Sequence, residues 1–196
     1  MRDNDRVRNL VTEVLFQGWA VLKRVSFDYL RRDGRLDRII RLSADHGDAA
    51  AVLPYDPDRG VVLLLKQFRL PPYLNGHPEE MLEVCAGRLD GDDPRTCARR
   101  EAREELGYQL ADIEPAFTFF ASPAFDTEKL TGFIARYSPA DRADAGGGLA
   151  EEGEDIEVIE MAFDHAFAGI AAGWVVDAKT ILLLQHLKLS GRMERG

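Results

Sequence analysis

Residues 87–108, GRLDGDDPRTCARREAREELGY, constrain the fold more than any other stretch, because both ends of a helix are written into them. Asp93 suits the N-cap, Pro94 the first helical position and Gly107 the residue just past the end, which bounds a helix over 94–106. Ala98, Ala102 and Leu106 recur every four residues and make a narrow stripe of small apolar side chains that can lie close against a sheet. Glu101, Glu104 and Glu105 gather on one side of the same helix. Like charges three and four residues apart cost roughly 0.2–0.5 kcal/mol per pair unless a cation intervenes. A helix rich in glutamate and arginine is also what a plain solvated face looks like, and the flanking glycines are what argue against that here.

Around this helix the remaining pattern is mixed. Alternating or β-rich runs at 19–29 and 36–42, separated by Arg-Arg-Asp-Gly, predict a hairpin turning at Asp33-Gly34. Further strands are expected at 49–54, 60–68, 81–85, 116–121, 132–137 and 156–162, and helices at 94–106, 165–172 and 179–189. The pattern predicts an α/β (α+β) protein with a mixed β-sheet sandwiched between helices. Two regions follow from it: an N-terminal β-hairpin extension over 1–44 and a main domain over 45–196. The glycine-rich, acidic stretch 143–153, ADAGGGLAEEG, is expected to be a mobile loop with its three glycines as a hinge. It is not a phosphate-cradling P-loop, since no Gly-Lys-Ser/Thr follows.

Composition removes several function classes. The net charge of −9 argues against a nucleic-acid backbone as partner, which needs clustered lysine and arginine. No apolar run reaches the ~20 residues that span a bilayer, and the polar start MRDNDRVRN lacks the core of a secretory signal, so no membrane role and a cytoplasmic location are expected. Cys85 and Cys97 have no zinc-site spacing and read as buried thiols. His46, His77, His165 and His186 form no ligand spacing and read as surface or satisfied histidines, while Phe117, Phe119, Phe120 and Phe125 read as core.

With Gly87 before and Gly107 after, the helix resembles the Nudix box, the loop-helix-loop signature of hydrolases that cleave nucleoside diphosphates linked to another group. Arg100, Glu101, Ala102, Glu104, Glu105, Gly107 and Tyr108 fill its second half. The first half departs from it: Gly87 to Arg100 is one residue shorter than usual, and Asp92 or Asp93 stands where glutamate is common. The shortened form with Asp-Pro, the run AGGGLAEEGEDIEVIEM, the DAKTILLL segment and the KQFR strand end are similar to the GDP-mannose pyrophosphatase branch. The resemblance implies a Nudix fold and Mg²⁺-dependent cleavage of a nucleotide sugar, with Mn²⁺ as a substitute. GDP-mannose is the substrate it favours, with ADP-ribose as the alternative and a non-catalytic nucleotide-sugar-binding domain as the alternative of another class.

The residues it marks are specific. Glu101 and Glu105, with the backbone carbonyl of Ala86, are implied metal ligands; Glu104 adds a shared or outer ligand, and Arg100 orients it. Glu154 best matches a loop glutamate that completes the metal shell or takes the proton of the attacking water, with Glu151, Glu152 and Asp155 as neighbouring candidates. Arg69 matches a phosphate-facing arginine, although a strand-end arginine is also often only solvated. Trp19 and Arg41 match substrate contacts given by a partner subunit, which implies a homodimer with swapped N-terminal hairpins, and a structural role for Trp19 is the alternative. Glu128 and Lys179 match sugar-side or phosphate-side contacts.

Overall fold

The computed structural model describes residues 6–194. Its elements run β1 (Val7–Gln17), β2 (Val21–Leu30), β3 (Leu36–Asp45), β4 (Ala49–Asp56), β5 (Val61–Gln67), α1 (Leu70–Leu74), β6 (Met81–Glu83), β7 (Cys85–Arg88), α2 (Pro94–Leu106), β8 (Ile113–Phe120), β9 (Lys129–Arg136), β10 (Glu157–Ala162), α3 (Phe163–Ala172) and α4 (Ala178–Leu189). They fall into two compact units, 1–48 with 120–128, and 49–119 with 129–196.

The N-terminal unit is a three-stranded antiparallel sheet in the order β1-β2-β3. The expected hairpin is therefore there, with a strand ahead of it that the sequence pattern hid. β1 carries register shifts between Arg8 and Val11 and between Val14 and Phe16, and Asn9 takes φ 49°, so its apolar residues do not keep a clean alternation. Trp19 lies in the turn between β1 and β2 rather than on a strand. The loop 120–128 joins this unit through Ala44, which donates to Phe125 O at 2.8 Å and accepts from Thr127 N at 3.1 Å.

In the second unit a seven-stranded sheet runs β10-β5-β4-β9-β8, with β6 beside β5 and β7 beside β4. The pairing of β4 with β9 is parallel and its pairing with β5 antiparallel, so the sheet is mixed. β4 and β5 pair at Tyr55–Val62 and Asp56–Val61; β7 pairs with β4 over Ala49–Val52, and β6 pairs with β5 over Leu65–Gln67. The two short strands, separated by Val84 alone, thus carry residues 81–88 beside the two central strands.

Period-two alternation explains why the helices take both faces. Ala50, Val52, Leu63 and Leu65 pack with Cys97, Ala98, Ala102 and Leu106 of α2. Ala51, Leu53, Val62 and Leu64 pack with Phe163 and Ala166 of α3 and Leu183, Leu184 and Leu187 of α4. At about 1.5–3 kcal/mol for each large aliphatic side chain taken from water, these two clusters are the main source of the unit's stability. Both cysteines are free and buried, and Phe117 and Phe119 pack on the core as expected. Phe120 and Phe125 do not: they sit exposed, at the end of β8 and in the loop that joins the N-terminal unit. Among the described residues no helix is long and apolar enough to cross a membrane.

Candidate active site

Helix α2 forms where its punctuation predicts. Asp93 caps it, accepting from Arg95 N at 3.0 Å and Thr96 N at 3.2 Å, Pro94 follows, and Gly107 closes it in the left-handed region at φ 79°. Its buried face holds two carboxylates as well as the small apolar stripe: Glu101 and Glu105 are buried beside Cys97, Ala98, Ala102 and Leu106. The close approach of β7 depends on glycine at 87, because a Cβ there would come within 1.9 Å of Glu101 Oε1.

The acidic cluster is neutralised locally. Arg100 Nη1 lies 2.8 Å from Glu101 Oε1 and 3.1 Å from Glu104 Oε2, and its Nη2 donates to Arg88 O at 3.0 Å. Arg100 therefore binds Glu101 as well as the expected Glu104. Glu105 Oε2 accepts from Ala86 N at 3.0 Å, so Ala86 meets the helix through its N–H. Burial pushes the Glu101 carboxyl up to about 7, with Arg100 opposing and Glu104 and Glu154 adding to the rise. Burial likewise pushes Glu105 up to about 8; hydrogen bonds from Cys85 and Ala86 oppose this, while Glu101 and Glu154 add to it.

Residues 143–156 are docked on the end of α2, and their glycines are not a hinge. The last turn of a helix leaves carbonyls without intrahelical partners. Gly147 N donates to Glu105 O at 2.9 Å, Gly148 N to Glu104 O at 3.0 Å, and Ala143 N to Gly107 O at 2.8 Å. Contact this close requires glycine: at 146, with φ +68°, a Cβ would stand 2.6 Å from Glu105 O. The loop then folds back so that Glu154 Oε2 accepts from Leu149 N at 2.8 Å, and its charge reaches both Glu101 and Glu105. Glu154 is thereby brought to the helix carboxylates through backbone bonds.

A second charged knot adjoins the first. Arg69 grips buried Glu83 through Nε at 2.7 Å and Nη2 at 3.0 Å. Lys179 also bonds Glu83 and reaches Asp177 at 2.9 Å. Asp177 caps α4, accepting from Thr180 N at 2.9 Å and Thr180 Oγ1 at 2.6 Å, while that hydroxyl accepts from Val84 N at 2.8 Å. Burial alone would raise Glu83, but Arg69 and Lys179 hold it below the usual carboxylate range. Arg69 also feels the charge of Glu105. Arg69 and Lys179, far apart in sequence, thus meet on a glutamate that sequence reasoning passed over. The signal was a lone carboxylate inside the apolar run Met-Leu-Glu-Val.

The other expected substrate residues belong to the N-terminal unit. Trp19 is 74% exposed and stacks on His46, ring centroids 5.0 Å apart. His46 lies between two carboxylates, with Nδ1 3.3 Å from Asp126 and Nε2 3.3 Å from Glu128, so of the two expected readings it is a satisfied histidine. Arg41 is exposed on β3 and donates to Ile40 O at 2.8 Å.

Among the described residues no three carboxylate, imidazole or thiol side chains close into a ready cation cage. Glu101 and Glu105 are both carboxylates buried where their ionisation is opposed, and the charge of a third carboxylate, Glu154, adds to that opposition. Hard oxygen donors whose charge is costly without a counterion suit a hard divalent cation.

Known proteins resemble this chain over most of its length. The NUDIX domain family matches residues 45–184, and the family described as the GDP-mannose pyrophosphatase NudK N-terminal domain matches residues 6–41. A Cronobacter sakazakii protein named GDP-mannose pyrophosphatase is 44% identical over 183 residues, 93% of this chain and 95% of its own length. Proteins of the same name from Pectobacterium atrosepticum and an Enterobacter species are 42% and 38% identical, covering 94% and 96% of this chain and 95% and 98% of theirs.

Proposed function

From the premise that the chain belongs to the Nudix hydrolases, in the branch of the GDP-mannose pyrophosphatases, we propose that it hydrolyses GDP-mannose to GMP and mannose 1-phosphate. The observation that carries this reading is the burial of Glu101 and Glu105 on α2 against Gly87, with Glu154 brought to them by the glycine loop. Those three residues would hold the divalent cation, Mg²⁺ in this reading, with Ala86 beside them. Bound there, it would stabilise the charge that develops on the phosphoryl oxygens and lower the pKa of the attacking water.

The chain's own groups supply the rest. Arg100 fixes Glu101 and Glu104 and so sets the direction in which the carboxylates face. Glu154, part-exposed and held by Leu149 N, accepts the proton of the attacking water. Arg69 and Lys179 are pre-positioned by Glu83, so their donors can meet a diphosphate without first losing side-chain freedom. Trp19, given across a homodimer, offers an exposed indole to the purine in the other subunit's site, Arg41 is given in the same way, and Glu128 adds a contact with the nucleotide sugar. A homodimer with exchanged N-terminal sheets would cover Leu10, Val14 and Phe16, which β1 leaves exposed.

A panel of GDP-mannose, GDP-glucose, ADP-ribose and nucleoside triphosphates, assayed with Mg²⁺ and with products identified by mass, tests the reading. GMP and mannose 1-phosphate should be the dominant products. Preferred turnover of ADP-ribose would move the substrate within the family, and no cleavage of any nucleotide sugar would leave a binding domain.

A further inference from the structure

His46 is the residue of the N-terminal unit whose surroundings are most elaborate and least accounted for. Its side chain is 16% exposed, and the two carboxylates that flank it, Asp126 and Glu128, are 18% and 17% exposed. Those carboxylates are not loosely presented. The segment that carries them is pinned to the end of β3 by the Ala44–Phe125 and Thr127–Ala44 backbone bonds, and Ser122 O accepts from Asp126 N at 2.8 Å. Asp126 Oδ1 accepts from Glu128 N at 2.9 Å, which leaves its Oδ2 on the imidazole.

An imidazole contacted at both nitrogens has its plane determined, since neither in-plane edge can turn without losing a partner. The Trp19 indole then lies nearly parallel to that plane, at 23°. Trp19 sits in a short turn and is 74% exposed, so a stack on a ring that cannot turn narrows the rotamers open to it. The stack favours an orientation parallel to that ring.

We propose that His46, held between Asp126 and Glu128, is a positioning residue that presents Trp19 as a flat stacking platform for the purine of the nucleotide sugar and fixes Glu128 in the same step. The proposal rests on the nucleotide-sugar reading above and adds to it a coupling between the base-side contact at Trp19 and the contact at Glu128, both set by one ring. It predicts an effect on substrate capture rather than on bond cleavage. Neither His46 nor Trp19 handles a reacting atom in this account.

A double-mutant cycle with GDP-mannose and Mg²⁺ tests it. Trp19→Ala and His46→Ala should each raise KM by about tenfold, the size expected for loss of one base-stacking contact. In both variants kcat should stay within about twofold of the parent. The double variant should be little worse than either single one, because a platform without its support and a support without its platform fail alike. His46→Phe keeps a ring but offers nothing to the two carboxylates, and should raise KM as His46→Ala does. Unchanged KM in His46→Ala, or single effects that multiply in the double variant, would overturn the proposal. A fall in kcat with KM unaltered would do so as well.

A substrate-free readout separates this inference from the reading it rests on. In a Trp174→Phe background Trp19 is the only tryptophan, and adding His46→Ala should change its emission and raise its mobility by anisotropy decay. If the parent protein cleaves no nucleotide sugar, the proposed function fails while this coupling stays measurable. If it cleaves GDP-mannose but emission and KM ignore His46, this inference alone fails.

Discussion

Strands β1 and β4 are both rich in apolar side chains and end in opposite states. Each residue of β4, AAAVLPYD, is buried, whereas in β1, VRNLVTEVLFQ, only Val7 is even partly covered and Leu10, Val11, Val14, Leu15 and Phe16 stand exposed. The difference is one of layers. β4 runs through the middle of a sheet with α2 on one face and α3 and α4 on the other, so both sides of its alternation find a core. β1 is the edge of a three-stranded sheet, and its bulges spread its apolar groups over both faces. An apolar run states that a strand wants cover; the layers around it decide whether the chain supplies that cover itself.

The largest effect should come from the buried side of this contrast. Glu105→Gln removes a charge that only a counterion makes tolerable there, and GDP-mannose turnover should fall by orders of magnitude while thermal unfolding of the metal-free protein is unchanged or slightly later. Near-parent rates would take Glu105 out of the chemistry. Next, truncation should separate the two strands. Leu53→Ala in β4 should cost about 2–5 kcal/mol in denaturant unfolding. Leu10→Ala in β1 should stay within about 0.5 kcal/mol on the isolated chain and act instead on association, read by sedimentation. Equal losses at the two positions would abolish the contrast.

The carboxylates sharpen it further through pH. Glu101 and Glu105 are raised from 4.5 to about 7 and about 8, so the folded state holds their protons more tightly than the unfolded chain does. Their contribution is therefore neutral below pH 4.5 and becomes a penalty as pH rises through the window to about 8. Metal-free protein should lose on the order of 1–2 kcal/mol across that window relative to Glu105→Gln, and Mg²⁺ should restore more stability at pH 8 than at pH 6. Parallel pH profiles for the two proteins would show that the burial carries no such penalty. The last effect is structural: Gly146→Ala meets the backbone at Glu105 O and Leu106 C in the left-handed region and should cost about 1–3 kcal/mol. Its activity should drop further than that loss explains, because the loop that carries Glu154 is displaced.

What could be read from residues alone was whatever depends on near neighbours. The helix 94–106 came out to the residue because Asp93, Pro94 and Gly107 act on the backbone within one turn, and the acidic trio with its Nudix likeness followed from i, i+3 and i+4 spacing. The hairpin at Asp33-Gly34 was legible for the same reason, while β1 was lost because bulges erase the period on which strand reading depends. The tertiary structure alone decided the long-range meetings. It brought Arg69 and Lys179 onto Glu83, His46 between Asp126 and Glu128, and two glycines, Gly147 and Gly148, onto the last carbonyls of α2. None of these has a sequence period, since each is set by strand pairing and layer packing across tens of residues. Local rules chose the groups, and burial chose their partners and their charge.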